Sequence, residues 1–303
     1  MAITAKDVQA LREMTGVGMM DCKKALTEAE GNMDKAIEIL REKGLAASQK
    51  KAGRIAAEGM AYAAVIDGVG VVVEVNAETD FVAKNDKFVD FVKGVAATVA
   101  ANKPADLDAL MACKYAGTDL TVTEQQQEMV LVIGENIKVR RFAFFTEGTC
   151  VPYIHAGGKI GVLVNLDVTG GIDATEIGKD VAMQIAALNP RFWDKSQVTQ
   201  DVLDEEKKIM MVQMENDPKM AGKPEKVREN IVLGKLNKFY AENCLLQQEF
   251  VKDGSMSVEQ YIASSAKALG GTVTFKDAYR FAKGEGIEKK QENFAEEIAK
   301  LTK

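Results

Sequence analysis

VIDGVGVVVEV, residues 65–75, combines a tight turn with a long apolar strand, and this combination sets the architecture of the chain. A helical pattern follows around residues 88–101 and stops shortly before a proline. YIHAGGKIGVLVNL, residues 153–166, repeats the order, and a second helical pattern around 174–187 also stops before a proline. This weak internal repeat predicts two related α+β subdomains, each with helices against one face of a mostly antiparallel sheet.

The N-terminal part of the chain lies outside the repeat. Residues 4–43 predict three short helices, because apolar side chains recur at helical spacing between glycine-containing turns. We expect Asn32 to cap the third helix, Gly44 to end it, and residues 48–54 to form a polar, basic linker. Three helices in so short a segment form a small bundle with a thin core.

The C-terminal half predicts an insertion. Two amphipathic helical patterns, separated by a loop rich in proline and glycine, predict an antiparallel helical hairpin. Phe294, Ile298 and Leu301 predict a short C-terminal helix. The predicted α+β architecture has five parts: an N-terminal three-helix bundle with its linker at 1–54, a first core subdomain at 55–145, a second core subdomain at 146–190 and 241–283, an inserted hairpin at 191–240, and a C-terminal module at 284–303.

Composition narrows the function classes. The 303 residues carry a net charge of −6, which argues against nucleic acid as the main partner because phosphate binding needs a basic face. No apolar run approaches the roughly 20 residues that cross a bilayer, and the N-terminus lacks a signal-peptide pattern. The four cysteines are widely separated, which favours buried thiols in a reducing cytoplasm.

Sequence signals for catalysis are weak. No phosphate-binding loop of the Gly-x-x-x-x-Gly-Lys-Ser/Thr type occurs. His155 is the only histidine, so a site with several imidazole ligands is impossible, and no cysteine cluster replaces it. A serine or cysteine nucleophile paired with His155 stays open, although no nucleophile-elbow motif supports it. We expect no cofactor, no bound metal and no covalent chemistry.

Two motifs stand out for the side chains they would expose. LREMTGVGMMDCKKAL, residues 11–26, places Met19 and Met20 at the mouth of a glycine turn. Both methionines could belong to the core, but neighbours on a helix point about 100° apart, and so small a bundle can hardly bury both. EVNAETDFVAKN, residues 74–85, places Thr79 to Val82 in the connection between the apolar strand and the next helix. There Phe81 either packs on that helix or faces outward.

These motifs, in this order, resemble the elongation factor Ts family. HAGGKIGVLV at 155–164, GENI at 134–137, Arg140-Arg141 and GEGIEK at 284–289 add to the resemblance, which runs nearly end to end. The tip at 214–224 is longer than the usual form of the family, so the contacts of the hairpin stay open.

The resemblance implies a guanine nucleotide exchange factor for elongation factor Tu, bound in its GDP and nucleotide-free states. By this resemblance Thr79, Asp80, Phe81 and Val82 would dislocate magnesium from elongation factor Tu, with Phe81 as a wedge. Arg12, Met19, Met20 and His155 would contact the same partner. The N-terminal bundle would resemble a ubiquitin-associated domain. The protein would be cytoplasmic and would bind neither nucleic acid nor membrane. The narrow apolar stripes and polar loop of the hairpin favour a projection that serves self-association or a further contact with elongation factor Tu.

A second interpretation comes from another class of protein. A bundle similar to a ubiquitin-associated domain also suits an adaptor or a chaperone-like scaffold without exchange activity. The bundle alone does not distinguish the two classes. The motif at Thr79 to Val82 favours exchange, because an adaptor has no need of it.

Overall fold

A computed structural model describes residues 3–217 and 224–288, and it has the predicted α+β class, with helices and antiparallel sheets. The chain divides into two compact units by contact density. The first unit comprises Met1–Thr146, Ile154–Gly161 and Phe281–Lys303, and the second comprises Glu147–Tyr153 and Val162–Arg280. The predicted C-terminal helix lies outside the described residues. No helix in the described part of the chain is both long and apolar enough to span a membrane.

Three N-terminal helices form, as predicted: α1 (Ala5–Thr15), α2 (Met19–Glu28) and α3 (Met33–Lys51). A capping box starts α1, in which the Thr4 and Asp7 side chains each accept the other's backbone N–H. Gly16 ends α1 with φ 68°, a left-handed conformation that glycine adopts without a steric penalty. The likeness of this bundle to a ubiquitin-associated domain stays a prediction.

The predicted end of the third helix at Gly44 is wrong. Helix α3 continues through Gly44 to Lys51, so the first residues of the expected linker are helical. A Cβ atom at position 44 would lie 3.3 Å from the backbone oxygen of Gln127, which belongs to the helix Val122–Ile133. Gly44 therefore allows two helices to approach closely, which offsets its cost of about 1 kcal/mol inside a helix.

The first unit contains an antiparallel sheet in the order β1 (Glu58–Ile66), β2 (Val69–Ala77) and β3 (Lys138–Phe145). Every residue of the central strand β2 is buried, as its apolar run predicts. Helices α4 (Asp86–Asn102), α5 (Leu107–Ala112) and α6 (Val122–Ile133) accompany the sheet. Valines of β2, including Val73, share one core with Phe88, Phe91 and Val95 of α4.

A carboxylate lies buried in the centre of that sheet. Glu74 has no exposed side-chain surface, and its oxygens accept bonds from Arg140 Nη1 at 2.9 Å and Arg141 Nε at 2.5 Å. The backbone N–H of Gly284 donates to the same carboxylate at 2.7 Å. Arg141 also pairs with Glu285 at 3.1 Å. This network attaches residues 284–285 to the sheet, and it gives a physical role to two short motifs of the sequence.

A second sheet contains β4 (Thr149–His155), β5 (Ile160–Thr169) and β8 (Thr272–Ala282), in that order. Helices α7 (Thr175–Leu188) and α10 (Val258–Ala268) and the short strands β6 (Glu249–Phe250) and β7 (Asp253–Ser257) belong to the second unit. The proposed kinship of the two subdomains stays a prediction.

The segment predicted to be an insertion contains two helices, α8 (Gln200–Glu215) and α9 (Glu225–Asn243). They share a core of their own that includes Met210, Met214, Leu236 and Phe239. The six residues between 217 and 224, at the expected tip, lie outside the described residues. A hairpin with its own core is expected to fold by pairing of its helices.

Excision of the hairpin should leave the rest of the chain folded. A short Gly-Ser linker in place of residues 198–242 removes most of the shared core of the two helices but keeps the root, where Phe192 and Cys244 form a β-bridge. We expect a cooperative thermal transition by circular dichroism. Loss of that transition would show that the hairpin belongs to the core.

Candidate functional site

The candidate site is centred on the loop between β2 and α4, where the sequence placed it. Residues 78–81 leave the end of β2, a single 3₁₀ turn follows at Val82–Lys84, and α4 begins at Asp86. Asn85 caps α4 by accepting the backbone N–H of Lys87 at 3.0 Å. Thr79 to Val82 therefore occupy a short connection between two rigid elements.

A second segment of the unit fixes this connection. The carboxylate of Glu135 accepts the backbone N–H groups of Glu78 at 3.1 Å and Thr79 at 3.0 Å, and the Thr79 hydroxyl at 2.7 Å. In return, the Glu78 carboxylate accepts the backbone N–H of Asn136 at 2.6 Å. Thr79 thus helps to hold the loop, through a carboxylate to which the sequence alone gave no role. The GENI motif at 134–137, which contains Glu135, is the one sequence feature that could have indicated this contact.

Phe81 points into solvent. Its exposure is 81%, the largest value among the exposed large apolar side chains of the described residues. The alternative in which Phe81 packs on the following helix is therefore wrong. The next side chain, Val82, is half-buried and packs against the core. Alternation of an inward Val82 with an outward Phe81 makes the ring available to a partner.

Asp80 lies beside a groove of charged side chains. Its carboxylate pairs with Lys84 Nζ at 3.3 Å, one helical turn further along. Both residues line a groove of about 590 Å³ in the first unit. The other lining residues are Glu58, Gly59, Ala83, Ala156, Gly157, Lys159 and Lys283. The groove thus joins the Phe81 loop to the turn that follows His155.

His155 is the exposed last residue of β4. The turn after it has positive φ at Ala156, Gly157 and Gly158, and the backbone oxygen of His155 accepts the N–H groups of Gly158 and Lys159 at 3.2 and 3.1 Å. A Cβ on Gly158 would lie 2.6 Å from Met60 Cγ, so this position requires glycine. His155 is therefore presented by a closely packed turn.

The bundle presents another apolar surface. Met19 is 44% exposed and Met20 is 64% exposed at the start of α2, which confirms that the bundle does not bury both. Arg12 is exposed on α1. Lys87 Nζ donates to the backbone oxygen of Gly16 at 3.3 Å, so the α1–α2 turn contacts the start of α4. The site residues thus fall into three places: the Phe81 loop, the His155 turn and the bundle.

The described residues offer no group of three histidine, cysteine, aspartate or glutamate side chains that could hold a metal ion.

Comparison with known proteins gives consistent matches. The family model for elongation factor Ts matches residues 78–285. A protein named elongation factor Ts from Syntrophotalea carbinolica is 48% identical over 307 aligned residues, covering all of both chains. Proteins of the same name from Trichlorobacter lovleyi and Magnetococcus marinus are 49% and 45% identical; each match covers 99% of this chain, with 98% and 99% of the respective relative.

These matches place the chain among the translation elongation factors. Within that class, it belongs to the elongation factor Ts family. The resemblance inferred from the motifs is confirmed.

Proposed function

We propose that this chain is a guanine nucleotide exchange factor that binds elongation factor Tu·GDP and promotes release of GDP. The observation that carries the proposal is the 81% exposure of Phe81. The loop that contains Phe81 is held by three hydrogen bonds to the Glu135 carboxylate. A large ring held outward on a rigid connection suits insertion into a partner. The chain needs no covalent or metal chemistry of its own for this activity, and it acts in the cytoplasm.

In the proposed mechanism, Phe81 enters an apolar pocket of the GTP-binding domain of elongation factor Tu and displaces a helix there. Asp80 makes a polar contact to that helix, while Thr79 and Val82 hold the loop on its own side. The displaced helix disturbs the magnesium site of elongation factor Tu. GDP then leaves faster, because its phosphates lose the charge compensation that the ion supplies.

Exchange requires differential affinity. The factor must bind nucleotide-free elongation factor Tu more tightly than the GDP-bound form, and by linkage GDP weakens the factor to the same degree. A 10⁴-fold change corresponds to roughly 5.5 kcal/mol of differential binding. One phenylalanine contributes only part of this, so contacts from the bundle and the His155 turn are also needed.

Release of labelled GDP from purified elongation factor Tu tests the proposal. Adding the protein should accelerate release in a saturable manner and leave the final equilibrium between GDP and GTP unchanged. Binding of elongation factor Tu without acceleration would favour the alternative, an adaptor or chaperone-like scaffold that uses its bundle to hold other proteins.

Met19 and Met20 should contribute affinity rather than stability. Because both side chains are largely exposed, Met19→Ala or Met20→Ala should weaken complex formation with elongation factor Tu while the melting temperature moves little. Titration calorimetry with thermal melts measures both quantities. Unchanged affinity together with a large loss of stability would show that the methionines only pack the bundle.

His155 should contact elongation factor Tu away from the nucleotide. His155→Ala should then raise the concentration of factor needed for half-maximal exchange and leave the saturated rate of GDP release unchanged. Stopped-flow release of a fluorescent GDP analogue over a range of factor concentrations separates the two parameters. A collapse of the saturated rate would place His155 near the nucleotide instead.

The hairpin is proposed to serve self-association or a further contact with elongation factor Tu. Its helices carry exposed apolar side chains, among them Val212 at 50% and Leu233 at 59%. Light scattering of the full chain and the excised form distinguishes the two uses. If the hairpin mediates self-association, excision should convert an oligomer into a monomer. If it does not, the two molar masses should differ only by the mass of the excised residues.

A further inference from the structure

Glu135 lies 57 residues from Glu78 in sequence, yet its carboxylate accepts three hydrogen bonds from Glu78 and Thr79. We propose that Glu135 is a positioning residue for exchange, which fixes the backbone before Phe81 so that the ring projects in one direction. This inference rests on the proposed function and adds to it a residue outside the Thr79–Val82 motif. Glu135 need not touch elongation factor Tu to act in this way.

The position of Glu135 is itself well defined. Helix α6 ends at Gly134 in a left-handed conformation with φ 88°, which turns the chain towards β3. Asn136 is buried, and its side chain donates to the backbone oxygen of Arg54 at 2.8 Å. Ile137 is 1% exposed in the core. Glu135 therefore projects from a short segment anchored by a helix end and two buried neighbours.

Phe81 depends on this anchor because it has little packing of its own. With 81% of its surface exposed, the ring gains no fixed direction from neighbouring side chains. The backbone before it must supply that direction, and Glu135 holds Thr79 through both the N–H and the hydroxyl. The Thr79 hydroxyl in turn accepts the N–H of Val82 at 3.4 Å, so the backbone is held on both sides of Phe81. A preorganised group loses less entropy when it binds.

Nearby positive charge balances the two carboxylates. Arg54 Nη1 lies 3.3 Å from Glu78 Oε1, and the two side chains form an ion pair. Burial lowers the pKa of Lys51, an effect that Arg54 reinforces and that Glu78 and Glu135 oppose. Bonds to ionised acceptors are about twice as strong as neutral ones, so Glu135 is well suited to hold a short loop.

The test compares Glu135→Ala with Glu135→Gln. Alanine removes all three bonds, and we expect the saturated rate of GDP release to fall about 10- to 100-fold, since a displacement of 1 Å costs about 10²-fold. Glutamine keeps an oxygen for the two backbone N–H groups and can donate to the Thr79 hydroxyl, so its rate should stay within about threefold of the wild type. Glu147→Gln, at an exposed turn, serves as the matched control and should leave the rate unchanged.

A double-mutant cycle separates positioning from simple stabilisation. If Glu135 acts through Phe81, then Glu135→Ala should cause almost no further loss of saturated rate in a Phe81→Ala background. Equal losses in both backgrounds would overturn the inference, as would a wild-type saturated rate for folded Glu135→Ala. If Glu135→Ala does not fold, Thr79→Val removes the hydroxyl link, and a wild-type rate for that variant overturns the inference. A wild-type rate for Phe81→Ala alone would overturn the proposed function itself.

Discussion

Replacing Phe81 by alanine should slow saturated GDP release from elongation factor Tu by about 10- to 150-fold. Full burial of a phenylalanine side chain is worth about 1.5–3 kcal/mol, and each 1.36 kcal/mol of barrier changes a rate tenfold. The melting temperature should hardly change, because the ring is 81% exposed before the partner binds. Stopped-flow release at saturating factor, with a thermal melt of each variant, measures both effects.

Leu269→Ala is the matched control, since Leu269 is 53% exposed beyond the end of α10 and has no assigned role. It should exchange GDP like the wild type. Chelation of magnesium should narrow the gap between Phe81→Ala and wild type, because the step that the ring promotes is then already complete. A Phe81→Ala protein that exchanges at the wild-type saturated rate would contradict the wedge mechanism.

The position of the Phe81 loop was predictable because its signals are local. A continuous apolar strand, an Asn85 cap and the helical pattern after it follow one another directly along the chain, and each acts through the backbone of its own segment. The outward direction of Phe81 was not predictable in the same way. Local pattern allowed both a packed and an exposed ring, and only the packing of Val82 into the core decides between them.

Features that depend on distant partners were missed. Gly44 looks like a helix end in sequence, but the backbone of Gln127, which it approaches, belongs to a helix more than 80 residues away. Glu135 looks like an ordinary residue after a helix stop, and its bonds to Glu78 and Thr79 appear only once β2 and β3 are paired. Contacts between residues so far apart in the chain produce no local periodic pattern from which they could be predicted.

Replacing Glu74 by alanine should destabilise the first unit by about 3–5 kcal/mol, the usual cost of breaking a buried ion pair by removing one partner. Glu74 is fully buried, and its loss removes the carboxylate that pairs with both Arg140 and Arg141, of which Arg141 keeps its pair with Glu285. The Gly284 N–H also loses its acceptor, so its hydrogen exchange should accelerate more than that of other protected amides. Urea unfolding followed by circular dichroism measures the decrease in the free energy of unfolding. Amide hydrogen exchange shows which backbone N–H groups lose protection.

The expected loss of stability in Glu74→Ala follows from the burial of Glu74 rather than from the number of ion pairs that it makes. Glu242→Ala breaks an exposed pair with Lys238, at 3.5 Å and one helical turn away, and should cost less than about 1 kcal/mol. If Glu74→Ala cost no more than this control, the arginines would have to find water or another acceptor in the mutant. Glu74→Gln distinguishes the cases, because an amide keeps the shape and one acceptor but removes the charge. A loss close to that of alanine would identify charge pairing as the stabilising element, and a near-wild-type protein would identify the hydrogen bond to Gly284.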